Sequence, residues 1–259
     1  MNEKKSPGPL SEALELAQTG VTSIVGSGGK TTLLYALASE FAGAGKPVVM
    51  TTTTKLFPPE ARRKVKVQLL GNEPVPAWEL ERLIKPGELI LLATETTLDG
   101  KLRGINEELV NQLADLPNTK VLVEADGSSR RPLKGWAPWE PVVPVRTEHM
   151  VVMVGGSGLG RNLSPDWVHR PEVFARAAGL LPGERINPEA LAKVLLGPDG
   201  PFKTLPPKAT SSLIVNQADS VSTSYLKAFF RVLTLSQTEG SGFDRLLEGR
   251  LRWGKLTRL

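Results

Sequence analysis

The chain has 259 residues (28.0 kDa), 32 basic and 27 acidic side chains, and no cysteine. Its 40% hydrophobic and 23% charged residues are ordinary globular values, which excludes whole-chain disorder, and the missing thiol excludes disulfides, thiolate metal sites and cysteine nucleophiles. The net charge of +5, with 5% aromatics and no long basic run, is met as readily by a pocket for an anionic small molecule as by nucleic acid.

No stretch approaches the roughly 18 uninterrupted apolar residues of a membrane-spanning helix, so no membrane partner is expected. MNEKKSPGPLSEAL has no apolar segment after its lysines, so a secretory signal is not expected either, and the expected location is the cytoplasm.

In chain order, residues 1–19 read as a polar tail with a short amphipathic helix over 10–18. The β-branched run VTSIV (21–25) is a strand. GSGGK follows it, and TTLLYALASEFAGAG reads as a helix stopped by glycines. Strands are expected at 46–54 (KPVVMTTTT), 65–70, 88–94, 120–126 (KVLVEAD), 149–156 and 211–219 (SSLIVNQAD). Helices are expected at 77–84, 105–116, 170–180, 187–197 and 224–233.

Residues 127–148 are rich in Pro, Trp, Arg and Gly and read as an insertion or long loop within a domain spanning 20–239. A basic C-terminal segment, 240–259, carries no clear pattern. Strands alternating with helices of this length predict an α/β chain with a mostly parallel sheet covered on both faces. The expected class is a three-layer P-loop NTPase-like fold, with the Pro/Trp-rich insertion after a Walker-B-like strand.

The polar clusters fall at strand carboxyl ends, where open parallel sheets bind ligands. Gly26-Ser27-Gly28-Gly29-Lys30-Thr31-Thr32 follows a strand and opens a helix. Glycines let successive amides turn inward around a phosphate, and the helix N-terminus adds partial positive charge. Lys30 is expected to reach phosphate oxygens and the Thr31 hydroxyl to ligate Mg²⁺. The loop is two residues shorter than the usual G-x-x-x-x-G-K spacing.

Glu124 and Asp126 end an apolar strand on the same side of the chain. Asp126 is favoured for the metal and Glu124 for activating a nucleophile, with the reverse assignment open. Thr53 is a further metal candidate, against plain strand propensity.

Asn216-Gln217-Ala218-Asp219 resembles the base-reading N-K-x-D motif of GTPases with glutamine in place of lysine. Asn216 and Asp219 are candidate base contacts, or merely a strand-end turn. Arg130, Arg131 and Lys134, with His169 and Arg170, are candidates to hold an anionic substrate. The positive charge thereby gathers around a phosphate site, and nucleic acid is not an expected partner.

GSGGKTTLL, VVMTTTTKLFPP, GKLRGI, VLVEADGSSRRPLK, EPVVP, VHRPE and LIVNQAD together resemble the YqeC family, described as accessory proteins of selenium-dependent hydroxylases or of selenium cofactor biosynthesis. The resemblance runs from about Gly20 to Asp219. It implies nucleotide binding in the maturation of selenium-dependent molybdenum hydroxylases, with a hydroxylase or a cofactor-carrier protein as partner, and places functional motifs on Gly26–Thr32, Glu124–Gly127 and His169–Glu172.

The short loop is also locally similar to that of Mur ligases and folylpolyglutamate synthetase, which favours ATP over GTP. The expected activity is Mg²⁺-dependent NTP hydrolysis or phosphoryl transfer. A nucleotide-gated accessory protein and an ATP-dependent ligase-like enzyme are the alternatives.

Overall fold

Runs of β-branched residues that are apolar on both sides need cover on both faces, which is the condition of a parallel sheet. The computed structural model describes residues 8–237 and 242–258, and nine of its strands form one sheet. In chain order they are β1 (Gly20–Gly26), β2 (Val48–Thr52), β3 (Lys66–Leu69), β4 (Ile90–Ala93), β5 (Lys120–Glu124), β6 (Thr147–Gly155), β7 (Thr210–Asn216), β8 (Arg245–Arg250) and β9 (Lys255–Arg258). Their order is β9-β8-β7-β6-β1-β5-β2-β4-β3. Every neighbouring pair is parallel except β8 with β9.

Among the described residues seven helices flank the sheet: α1 (Pro9–Ala13), α2 (Lys30–Gly43), α3 (Ala77–Leu83), α4 (Glu107–Asp115), α5 (Pro171–Ala178), α6 (Pro188–Leu196) and α7 (Thr223–Ser236). Alternation along the strands divides the core in two. Val121 and Val123 of β5 pack with the residues of α3–α7, whereas Leu122 between them packs with Leu10 of α1 and Leu33, Leu37 and Phe41 of α2. The result is three layers with the sheet in the middle.

Register brings the polar strand ends to one edge. Ile24 of β1 and Thr52 of β2 both pair with Glu124 of β5, Gly26 pairs with Met153 of β6, and Gly155 with Asn216 of β7. The α2 N-terminus opens at this same edge.

Three sequence expectations change in detail. The first helix stops at Ala13 rather than running to 18, since Glu15 takes a left-handed φ of 52°. The described part of the C-terminal segment is sheet edge: β8 adds in parallel to β7, and β9 folds back antiparallel along it. Within 127–148, Leu133–Lys134 pairs in parallel with Val168–His169, and Trp136 is buried in the core of α3–α7. That stretch is therefore packed onto the body of the fold.

Residues 1–7 of the expected tail, 238–239 of the expected domain, and 240–241 and 259 of the expected C-terminal segment lie outside the described residues. Among the described residues, no helix is long and apolar enough to cross a membrane.

Candidate functional site

The loop between β1 and α2 is shaped by three left-handed glycines, with φ of 91° at Gly26, 79° at Gly28 and 133° at Gly29. A Cβ on Gly28 would stand 2.3 Å from Gly155 Cα, and one on Gly29 2.4 Å from Asn216 Nδ2. The short loop thus lies pressed against the ends of β6 and β7, where only glycine fits. Ser27 Oγ donates to Pro132 O at 2.8 Å, and Asn216 Nδ2 donates to Gly28 O at 2.8 Å. The first-turn amides of α2 have no intrahelical acceptors and form the positive end of its dipole.

Lys30 begins α2 yet is buried. Its ammonium folds back across the loop and donates to Gly26 O at 2.6 Å and to Ser128 Oγ at 3.2 Å. It stands 3.2 Å from Asp126 Oδ1 and 3.9 Å from Glu124 Oε1. Thr31 Oγ1 donates to Glu124 Oε2 at 2.8 Å. Burial pushes the Glu124 carboxyl above its ordinary range, although Lys30 and the Thr31 hydroxyl pull the other way.

Asp126 is two residues from Glu124 but differently placed. Its carboxylate accepts the Gly26 N–H at 2.9 and 3.0 Å, Trp136 Nε1–H at 2.9 Å and Lys134 Nζ at 3.0 Å. Complete burial opposes its charge, but Lys30, Lys134 and the Gly26 amide outweigh burial and hold the carboxyl below the usual range. Lys134 also donates to Gly127 O at 2.6 Å and Glu140 Oε2 at 3.0 Å, and Arg170 pairs with the same Glu140 oxygen. Asp126 is therefore surrounded by donors, whereas Glu124 lines an open cleft.

That cleft, of about 1680 Å³, is lined by Gly28–Thr32, Thr53, Ser128, Arg130, His169 and Arg170 among others. Structure thus gathers most of the expected residues around one opening. Thr53 donates its hydroxyl to Val142 O at 2.7 Å. Burial and the neighbouring Arg170 push the His169 imidazole down from its ordinary value.

Others lie apart from the opening. Arg131 is half-buried and does not line the cleft, and the Lys134 ammonium is wholly enclosed. Asn216 Oδ1 accepts from Leu251 N–H at 3.0 Å, so its amide braces the loop on one side and the C-terminal edge on the other. Asp219 is exposed and outside the lining.

Sequence reasoning overlooked Ser128, Glu140 and Tyr35 as site residues. Tyr35 had a usable signal, since it lies four residues beyond Thr31 and hence on the same face of α2. Glu140 had one too, as a carboxylate amid apolar and proline residues needs a buried cation. Among the described residues no cluster of three or more His, Cys, Asp or Glu forms a metal cage. A single carboxylate beside a hydroxyl instead suits Mg²⁺, which keeps several waters and substrate oxygens.

This is a three-layer α/β protein whose glycine loop, buried lysine and paired carboxylates meet at the carboxyl edge of its sheet. The chain belongs to the YqeC family: the family described as YqeC protein matches residues 22–172. A protein of Escherichia coli (strain K12), described as uncharacterized protein YqeC, is 33% identical over 187 residues, covering 72% of this chain and 71% of the relative. No solved structure matches the chain.

Proposed function

We propose that the chain binds a Mg²⁺–nucleoside triphosphate with its Gly26–Thr32 P-loop and hydrolyses it or transfers its γ-phosphoryl group, in the maturation of selenium-dependent molybdenum hydroxylases. The observation that carries the nucleotide reading is Lys30, folded across the loop to Gly26 O with its ammonium between Ser128 and two carboxylates. A lysine held there, over helix amides free to bind an anion, is positioned for β- and γ-phosphate oxygens. The hydroxylase assignment rests on the family resemblance.

The donor geometry favours the reversed carboxylate roles. Thr31 and Glu124 would hold Mg²⁺, and Asp126, saturated by donors, positions Lys30 and the Gly26 amide. When bound, the ion neutralises charge on the phosphate oxygens. ATP is preferred over GTP in this reading, since Asn216 is spent on Gly28 O and Leu251 N–H, and Asp219 faces solvent away from the cleft.

One observation favours a nucleotide-gated accessory role as the second reading. Trp139 and Val145, 69% and 66% exposed, stand on the segment whose Val142 carbonyl accepts the Thr53 hydroxyl at the cleft rim. Exposed apolar groups tied to the site suit a partner contact that responds to nucleotide.

Steady-state turnover with Mg²⁺–ATP, with and without candidate small-molecule acceptors or a hydroxylase, tests both. Fast acceptor-dependent turnover supports transfer and contradicts gating. Turnover that only a protein partner alters supports gating. No turnover under any condition contradicts the enzyme.

A further inference from the structure

The cleft is larger than one ligand needs. Its volume of about 1680 Å³ exceeds the roughly 300–1,000 Å³ of pockets fitted to a single small molecule. The phosphate loop occupies only its inner end, at β1. The outer half lies over the carboxyl ends of β2, β4 and β3, where Thr54, Thr94 and Gly71 line it.

Beyond the phosphate loop the cleft has its own chemistry. Four of the seven cations that line the cleft are already paired: Lys30 with Asp126, Lys101 with Asp99, Arg103 with Glu95, and Arg170 with Glu140. Among the described residues, Lys55, Arg63 and Arg130 line the cleft with no ion-pair partner. The Arg63 guanidinium is held 4.5 Å over the Tyr35 ring and that of Arg130 4.6 Å over Phe57. Both are thus fixed by aromatic faces rather than by carboxylates.

Tyr35 supplies an independent observation. It lines the cleft, is only 4% exposed, and its buried hydroxyl has no hydrogen-bond partner among the described residues. Buried hydroxyls without partners are rare and costly. Burial pushes this phenol up to about 12, so it remains a proton donor at neutral pH. A lone hydroxyl donor on a ring that carries an unpaired guanidinium calls for an acceptor that carries negative charge.

We propose that the part of the cleft beyond the phosphate loop is a second ligand subsite for a small oxyanion-bearing molecule, a phosphate ester or a carboxylate, held by the Tyr35 hydroxyl with Arg63, Arg130 and Lys55. The proposal deepens the nucleotide reading and rests on it, because it assigns the second ligand of the same cleft.

The test is calorimetric titration of inorganic phosphate, and separately of citrate, into the full chain saturated with Mg²⁺ and a non-hydrolysable ATP analogue. One anion is expected to bind. Tyr35→Phe and Arg63→Gln should each weaken it about tenfold, while nucleotide affinity changes less than about twofold and the circular dichroism spectrum is unchanged. Phosphate bound in preference to citrate marks a phosphate ester, and the reverse marks a carboxylate.

Absence of anion binding to the nucleotide-loaded protein overturns the proposal. So does binding that both variants retain, and so does equal loss of nucleotide, which would make Tyr35 and Arg63 part of the nucleotide subsite. If the wild type binds no nucleotide, the nucleotide reading itself fails. The same titration without nucleotide then decides the subsite: anion binding kept in Lys30→Ala but lost in Arg63→Gln supports it, and binding lost in Lys30→Ala overturns it.

Discussion

Lys134 Nζ stands 3.0 Å from Asp126 Oδ2 with both side chains entirely shut off from solvent. Charges so placed are tolerable only when each is paired and hydrogen-bonded, and removing one partner leaves the other stranded. Asp126→Asn is therefore expected to destabilise the fold by about 3–5 kcal/mol, since Lys134 is left with Glu140 alone and Lys30 with the more distant Glu124 as countercharge. Urea unfolding measures this. A loss below about 1 kcal/mol would contradict the positioning role given to Asp126.

Glu124→Gln should behave in the opposite way. Burial already pushes this carboxyl toward its neutral form, and glutamine can still accept from Thr31. Stability should change by only about 1 kcal/mol. Nucleotide affinity should fall at least tenfold in the presence of Mg²⁺ and stay near wild type in its absence. Titrations with Mg²⁺ and with a chelator separate the two cases, and equal loss in both would argue against a metal role.

The chain's two histidines give a pH prediction that proton NMR can read directly. Burial, reinforced by Arg245 and Lys120, pushes His149 down to about 4. Its ring nitrogens meet Thr210 Oγ1 at 2.6 Å and Ser212 Oγ at 2.9 Å. With a folded value below the unfolded 6.5, the folded state binds fewer protons. Stability therefore falls as pH drops from about 6.5 toward 4, by on the order of 2–3 kcal/mol. A His149 resonance that titrates near 6.5 in the folded protein would refute this.

Lys120 offers a test at the opposite, amino-terminal edge of the sheet. It is buried, donates to Thr19 O at 3.1 Å, and burial lowers it from 10.5 to about 8. The folded state disfavours its charged form, so stability should rise as pH climbs through the interval from about 8 to 10.5. At pH 7, Lys120→Met should stabilise the fold by roughly 2 kcal/mol and flatten that alkaline rise. Thermal unfolding at several pH values checks both outcomes.

The central strands were legible because VTSIV, VVMTT and KVLVE are buried on both faces, a condition that imprints itself on composition. β8 was not, because only Leu247 and Gly249 of RLLEGR are buried and the strand is held by pairing with β9 and with β7, about thirty residues away. Glycine loop, lysine and strand-end carboxylates were equally readable from their order. The division between the carboxylates was not. Alternation puts Glu124 and Asp126 on one side, but β5 ends at Glu124 and Asp126 is drawn inward by Gly26, Lys134 and Trp136. Lys134 reads in sequence as a candidate to hold an anionic substrate, and only the three-dimensional meeting of Asp126 and Glu140 accounts for its burial.

The central claim is that Gly26–Thr32 holds nucleotide phosphates, and calorimetric titration of wild type and Lys30→Ala with Mg²⁺–ATP tests it most directly. The wild type should bind one nucleotide, and the variant should lose at least tenfold in affinity while remaining folded by circular dichroism. Unchanged affinity in a folded Lys30→Ala protein, or no binding by the wild type, would contradict the account.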